Sequence, residues 1–135
     1  MGRLRERTVL IVLDTHAWLW WLVAPRLLSR GAARRIAQSD RIGISAISVF
    51  EVVELADRGK IELDVPPRRW VSDALAFDRV EPLPLTPEIA VDAAQLRFAS
   101  DPADRIIYAT ARAVGARLIT RDEKLRAFDP AIAVW

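Results

Sequence analysis

Apolar residues run unbroken from Val9 to Leu13 and stop at a carboxylate, Asp14. A run without alternation suits a strand covered on both faces, as in a parallel sheet flanked by helices. The segment from Ala17 to Ala24 is apolar all the way round, which predicts a helix buried on more than one side or at a subunit interface. Pro25 ends it. Ser29 then caps a helix reaching about Ser39, with Arg30 and Arg34 one turn apart on a solvated face. A short strand follows over 42–46, and a helix opened by Ser48 runs to Arg58 and is stopped by Gly59.

The second half repeats the alternation. Pro66-Pro67 starts a helix through Arg79, and Val80 to Leu85 is a strand interrupted by prolines, which places it near an edge. Thr86 and Pro87 open a helix ending near Phe98. Asp101 caps the next, with Pro102 as its first residue and Asp104 in its first turn, where the helix dipole favours negative charge. It runs to Val114 and is closed by Gly115. Arg117 to Thr120 forms a fourth strand left by Arg121-Asp122, and Ile132 to Trp135 a short last one. Alternating strands and helices predict a three-layer α/β/α fold with a mainly parallel central sheet. The expected organisation is a polar N-terminal leader over 1–8 and a single domain over 9–135.

Composition narrows the chemistry. With no cysteine and one histidine, thiolate and His-rich metal sites are excluded, so any metal is held by oxygen. The net charge of +2 neither demands nor excludes a nucleic acid. The apolar stretch from Val9 to Ala24 is interrupted by Asp14 and His16 and falls short of a membrane span, so a cytoplasmic protein without membrane contact is expected.

Asp14 and Asp122 end strands, Asp104 opens a helix, and Glu51 lies near the start of another. Each has a structural reading: turn or cap for Asp14 and Asp122, dipole partner for Asp104, and a Ser48–Glu51 capping box for Glu51. All four also share one address, the carboxyl edge of the sheet, where ligands of α/β folds bind. Converging carboxylates repel, so either some are protonated or a divalent cation sits among them. Magnesium suits carboxylates and phosphate substrates, which points to metal-assisted hydrolysis of a phosphodiester.

Four segments occur in order: Asp14-Thr15-His16-Ala17 after an apolar strand, Ser45-Ala46-Ile47-Ser48-Val49-Phe50-Glu51, Asp101-Pro102-Ala103-Asp104-Arg105 and Thr120-Arg121-Asp122. In this the chain resembles the PIN-domain proteins, specifically VapC-type toxins of bacterial type II toxin–antitoxin systems, over about Val9 to Trp135. The resemblance implies a PIN-like fold and a magnesium- or manganese-dependent endoribonuclease whose acids are Asp14, Glu51, Asp104 and Asp122. Thr15 and Thr120 would support them. It also implies a homodimer and a small cognate antitoxin. Arg105 and Arg121 are candidates for RNA contact, alongside pairing with the acids. Asp101 is assigned as a cap and Glu54 as a surface acid. His16 is expected to be packed or capping, and Trp18, Trp20 and Trp21 to serve core and interface rather than base stacking.

Other classes fit less well. A phosphate-accepting receiver domain needs a second acid beside Asp14 and a lysine at a later strand end, where Thr15 and the lysine-free strand 117–120 stand. A haloacid-dehalogenase-like phosphatase needs an acid at His16, and no Gly-rich phosphate loop is present. The alternative kept from another class is a catalytically silent PIN-like module that binds protein or RNA.

Overall fold

The computed structural model describes residues 8–98 and 100–135. Strand β1 (Leu10–Leu13) leads into helix α1 (Thr15–Val23), a 3₁₀ turn (Pro25–Leu27) and α2 (Arg30–Gln38). Then come β2 (Arg41–Ser45), α3 (Ala46–Asp57), α4 (Pro67–Leu75) and β3 (Val80–Leu83). The remainder is α5 (Pro87–Ala94), α6 (Pro102–Ala113), β4 (Arg117–Ile119), α7 (Glu123–Phe128) and β5 (Ala133–Val134). The leader expected over 1–8 lies, apart from Thr8, outside the described residues.

The five strands pair in the order β3-β2-β1-β4-β5, and every pairing is parallel. Because successive side chains of a strand point to opposite faces, the central strand feeds two cores. Ile11 and Leu13 pack with Trp18, Ile36 and Val52 from α1, α2 and α3 on one face. Val12 and Leu118 pack with Ile107, Tyr108 and Leu125 from α6 and α7 on the other. A helix layer on each face of a parallel sheet is the fold expected, with β3 and its Pro82 at one edge. No helix among the described residues is long and apolar enough to cross a membrane.

Local signals act mostly where expected. Ser29, Thr86 and Asp101 accept from the backbone N–H groups of Ala32, Ile89 and Ala103 as caps. Gly59 and Gly115 leave α3 and α6 at φ 69°. Several boundaries differ. The helix expected to reach Arg79 ends at Leu75; Arg79 takes φ 70° and donates to the carbonyls of Ile36 and Ser39 at the end of α2. Helix α5 stops at Ala94 instead of Phe98. Helix α7, which no periodic pattern announces, follows Asp122.

The chain leaves β1 toward β2 on one side and returns to β4 on the other. The adjacent carboxyl ends of β1 and β4 therefore mark the reversal of strand order, where the loops part and a crevice opens. Asp14 and Asp122 emerge there.

Candidate active site

A cleft of about 930 Å³ lies at that edge, lined by Asp14, Glu51, Asp104 and Asp122, and also by Asp101. With Glu123 beside Asp122, six carboxylates line it, from four separate stretches of chain. Asp14 is the N-cap of α1 and accepts from the Ala17 N–H at 2.8 Å. Its own backbone N–H donates to the Ile119 carbonyl at 3.1 Å, which ties the end of β1 to β4. The cap reading and the cleft reading of Asp14 are thus both true of one side chain.

Thr120 bridges the two strand-end acids. Its hydroxyl accepts from the Asp122 N–H at 3.1 Å and hydrogen-bonds the Asp14 carboxylate. Asp122 in turn caps α7 through Oδ1, which accepts from Lys124 and Leu125.

Glu51 is not in the capping box. Helix α3 starts one turn earlier than expected, at Ala46, because Ser45 is the cap that accepts from the Ile47 N–H at 3.2 Å. Ser48 is instead a buried residue inside the helix. That frees Glu51 to accept a hydrogen bond from the Thr15 hydroxyl, which also lies 3.1 Å from the Ser48 hydroxyl. Thr15 and Thr120, the two hydroxyls marked in the sequence, each hold one of the acids.

Asp104 faces Ser100, whose hydroxyl donates to its Oδ2 at 3.1 Å. Ser100 is a cleft residue that no sequence pattern marks: it lies just before the cap Asp101, outside α6, and reaches Asp104 in the first turn of that helix. Asp101 was read as a cap only. Its charge, felt at both Glu51 and Asp104, makes it part of the same electrostatic group. Glu54 stays outside, 3.6 Å from Arg58 on the helix surface.

Burial is the chief reason that Asp14, Glu51 and Asp104 all hold their protons more tightly than free carboxyls do. The Thr120 hydroxyl, the Thr15 hydroxyl and the Ser100 hydroxyl respectively pull the other way. Neighbouring carboxylates add to the rise: Asp122 at Asp14, Asp101 at Glu51, and Asp101, Glu51 and Asp122 at Asp104. Asp104 is pushed up to about 6.

A stability consequence follows. The unfolded chain releases the Asp104 proton near 3.8 and the folded chain only near 6, so the folded state binds more protons in between. Stability therefore falls as pH rises from about 4 to about 6 and is level above. Asp104→Asn removes this decline and raises the melting temperature of the metal-free protein at pH 7.5. With solvent screening of a part-exposed group, the gain is about 1 kcal/mol. Melting curves of both proteins at pH 4.5 and 7.5 check it, since only the wild type should lose its share between them.

In Glu51, Asp104 and Asp122 one carboxylate oxygen is held by a protein donor; the other has none among the described residues. That donor set, all hard oxygen, fits magnesium or manganese. As placed, no three of the described Asp, Glu and His side chains stand close enough to grip one ion together. The acids surround a shared space instead of forming a closed ligand shell.

The cleft also has a basic and aromatic rim. Arg121, Lys124 and Arg126 line it, with His16, Trp20 and Trp135. His16 is exposed, neither packed nor a cap, and its ring centroid is 5.7 Å from that of Trp20. The three early tryptophans part company. Trp18 is fully buried against Trp70 and Trp21 packs on Phe77, while Trp20 turns to the cleft. Arg105 does not line the cleft; its Nε is buried with no partner among the described residues. The Arg112 guanidinium lies 5.3 Å from the Tyr108 ring centre.

Comparison with known proteins places the chain in one class. The model of the PIN domain family covers residues 11–130, so the chain belongs to that family. Its kinship is with the VapC type: it is 39% identical over 118 residues to Ribonuclease VapC22 of Mycobacterium tuberculosis, covering 86% of this chain and 89% of that one. Two solved structures share the fold. A toxin–antitoxin complex from Klebsiella pneumoniae is 24% identical with a TM-score of 0.66, over 93% of this chain and 96% of that one. VapBC2 from Rickettsia felis, bound to a DNA fragment from its promoter, is 17% identical with a TM-score of 0.69, over 93% and 98%.

Proposed function

We propose that the chain is a metal-dependent endoribonuclease, acting as the toxin of a toxin–antitoxin pair and hydrolysing RNA phosphodiesters. The observation that carries this reading is the gathering of Asp14, Glu51, Asp104 and Asp122 on one cleft, three of them with raised proton affinity. Kinship to a named ribonuclease supports it. Asp14 and Asp104 would be the most direct holders of magnesium or manganese, and Glu51 and Asp122 would act through water or a second ion. When bound, such a cation supplies neutralising charge at the phosphate and lowers the pKa of water. Thr15, Thr120 and Ser100 aim the carboxylates, each fixing one acid so that reorganisation during reaction is small. Arg121, Lys124 and Arg126, which line the cleft, would present positive charge to the RNA backbone at its rim.

The same reading takes residues 9–135 as one cytoplasmic domain, a homodimer with a small antitoxin as partner. Val23, Phe50 and Phe77 are each more than half exposed, apolar surface that a second copy or an antitoxin segment would remove from water.

Incubating the purified chain with structured RNA tests the reading. Cleavage is expected with added magnesium or manganese, none in EDTA, and recovery when either ion is restored in excess. Equal cleavage in EDTA would overturn metal dependence. RNA binding without cleavage in any ion would turn the reading to the silent binding module.

A further inference from the structure

Trp20 and Trp135 differ from the other three tryptophans in facing the acidic cleft. Their rings meet edge to face, with centroids 5.9 Å apart and planes at 65°. His16 tilts against Trp20 on the same helix, and the Arg121 guanidinium lies 5.7 Å from the Trp20 ring centre. Trp135 is set in place by its backbone: its carbonyl oxygen lies where a Cβ on Gly31 would come within 2.9 Å, so only glycine in α2 lets this end of the chain lie so close. Both indoles are partly exposed and share the cleft lining with Arg121 and the carboxylates. Trp135 rests in part on the same core as Trp70, but it and Trp20 also line the cleft, which Trp18, Trp21 and Trp70 do not.

We propose that Trp20 and Trp135, with Arg121, form a stacking shelf for an unpaired nucleobase next to the phosphodiester held over the acids. The inference rests on the ribonuclease reading for its ligand. Every base offers an aromatic face, and stacking on tryptophan or on a guanidinium plane is how unpaired RNA is commonly held. In a duplex those faces are covered by neighbouring pairs. Arg121 serves twice here: its plane extends the shelf and its charge stays beside the phosphate. The shelf therefore selects for unpaired structure and only weakly for sequence.

Tryptophan fluorescence of the full chain in EDTA reads the shelf without cleavage. The probes are an oligoadenylate, the same oligomer paired to oligouridylate, and an abasic oligoribonucleotide of equal length and charge. Saturable quenching by oligoadenylate is expected, with binding of the duplex and the abasic oligomer about tenfold or more weaker. Trp20→Leu should weaken oligoadenylate binding roughly five- to a hundredfold, and Trp135→Leu several-fold. Trp21→Phe, away from the cleft, should bind as the wild type does. Equal binding of abasic and base-bearing oligomers overturns the shelf, as does unchanged affinity in a folded Trp20→Leu. Should that variant fail to fold, the abasic comparison on the wild type still decides. Cleavage is scored separately: quenching by unpaired RNA without cleavage in magnesium or manganese removes the nuclease reading and keeps the shelf. Cleavage by a wild type indifferent to bases does the reverse.

Discussion

Asp14→Asn should lower RNA cleavage roughly 100- to 1,000-fold while leaving the chain at least as stable at pH 7. The two halves of this expectation come from different properties of one side chain. As a cap, the carboxylate only has to accept from the Ala17 N–H, and asparagine does that as well as aspartate. As a buried anion at the meeting of β1 and β4, it is disfavoured by burial in the fold more than in the unfolded chain. Removing the charge therefore relieves the fold and, on the ribonuclease reading, disables the cleft. Thr120 tolerates the change because its hydroxyl can donate to an amide oxygen or accept from an amide nitrogen. Cleavage assays and thermal melts of the same preparations check both halves. A variant that cuts at the wild-type rate would take Asp14 out of the chemistry. One that melts several degrees lower would make it a structural cap first.

How much of this was legible in the sequence depends on the range of the interaction that decides each feature. The unbroken apolar run of β1 and the caps at Ser29, Thr86 and Asp101 are settled within a few residues, and the structure has them where the pattern puts them, with β2 one position earlier than expected. The addresses of Asp14 and Asp122 follow from β1 and β4, since a residue at the end of a parallel strand has only one edge to occupy. Glu51 is different. Ser45 and Ser48 are both competent caps, and local propensity does not choose between them. The choice falls to Ser45 because β2 ends there, and Glu51 is released to Thr15, 36 positions away. Helix α7 spans six residues, too short for a period to show. In α1 every position but His16 is apolar or threonine, so no stripe tells Trp18 from Trp20; the sheet on one side and the cleft on the other decide. Trp135 joins Trp20 only through the sheet order that sets β5 beside β4.

Trp18→Ala should be the most damaging single change to the fold, at about 3–5 kcal/mol. The indole is fully buried, edge-on to Trp70 at 5.2 Å, in a core shared with Leu13, Ala17, Val52 and Ala74. Against a total stability of about 5–15 kcal/mol, that loss removes roughly a fifth or more and lowers the melting temperature by about 10–20 °C. Trp18→Phe should cost well under half as much. It keeps most of the ring and disposes of a liability, because the indole N–H is buried with no acceptor among the described residues, a debit of about 1–3 kcal/mol in the wild type. The order alanine far below phenylalanine, with phenylalanine near the wild type, is therefore the signature of a packing role. The site feels it too. Trp18 donates its backbone N–H to the Asp14 carbonyl in the first turn of α1, so loosening that turn loosens Asp14 and Thr15 together. Melting curves of both variants read the first effect. A Trp18→Ala protein within 1 kcal/mol of the wild type would mean that α1 does not anchor the sheet.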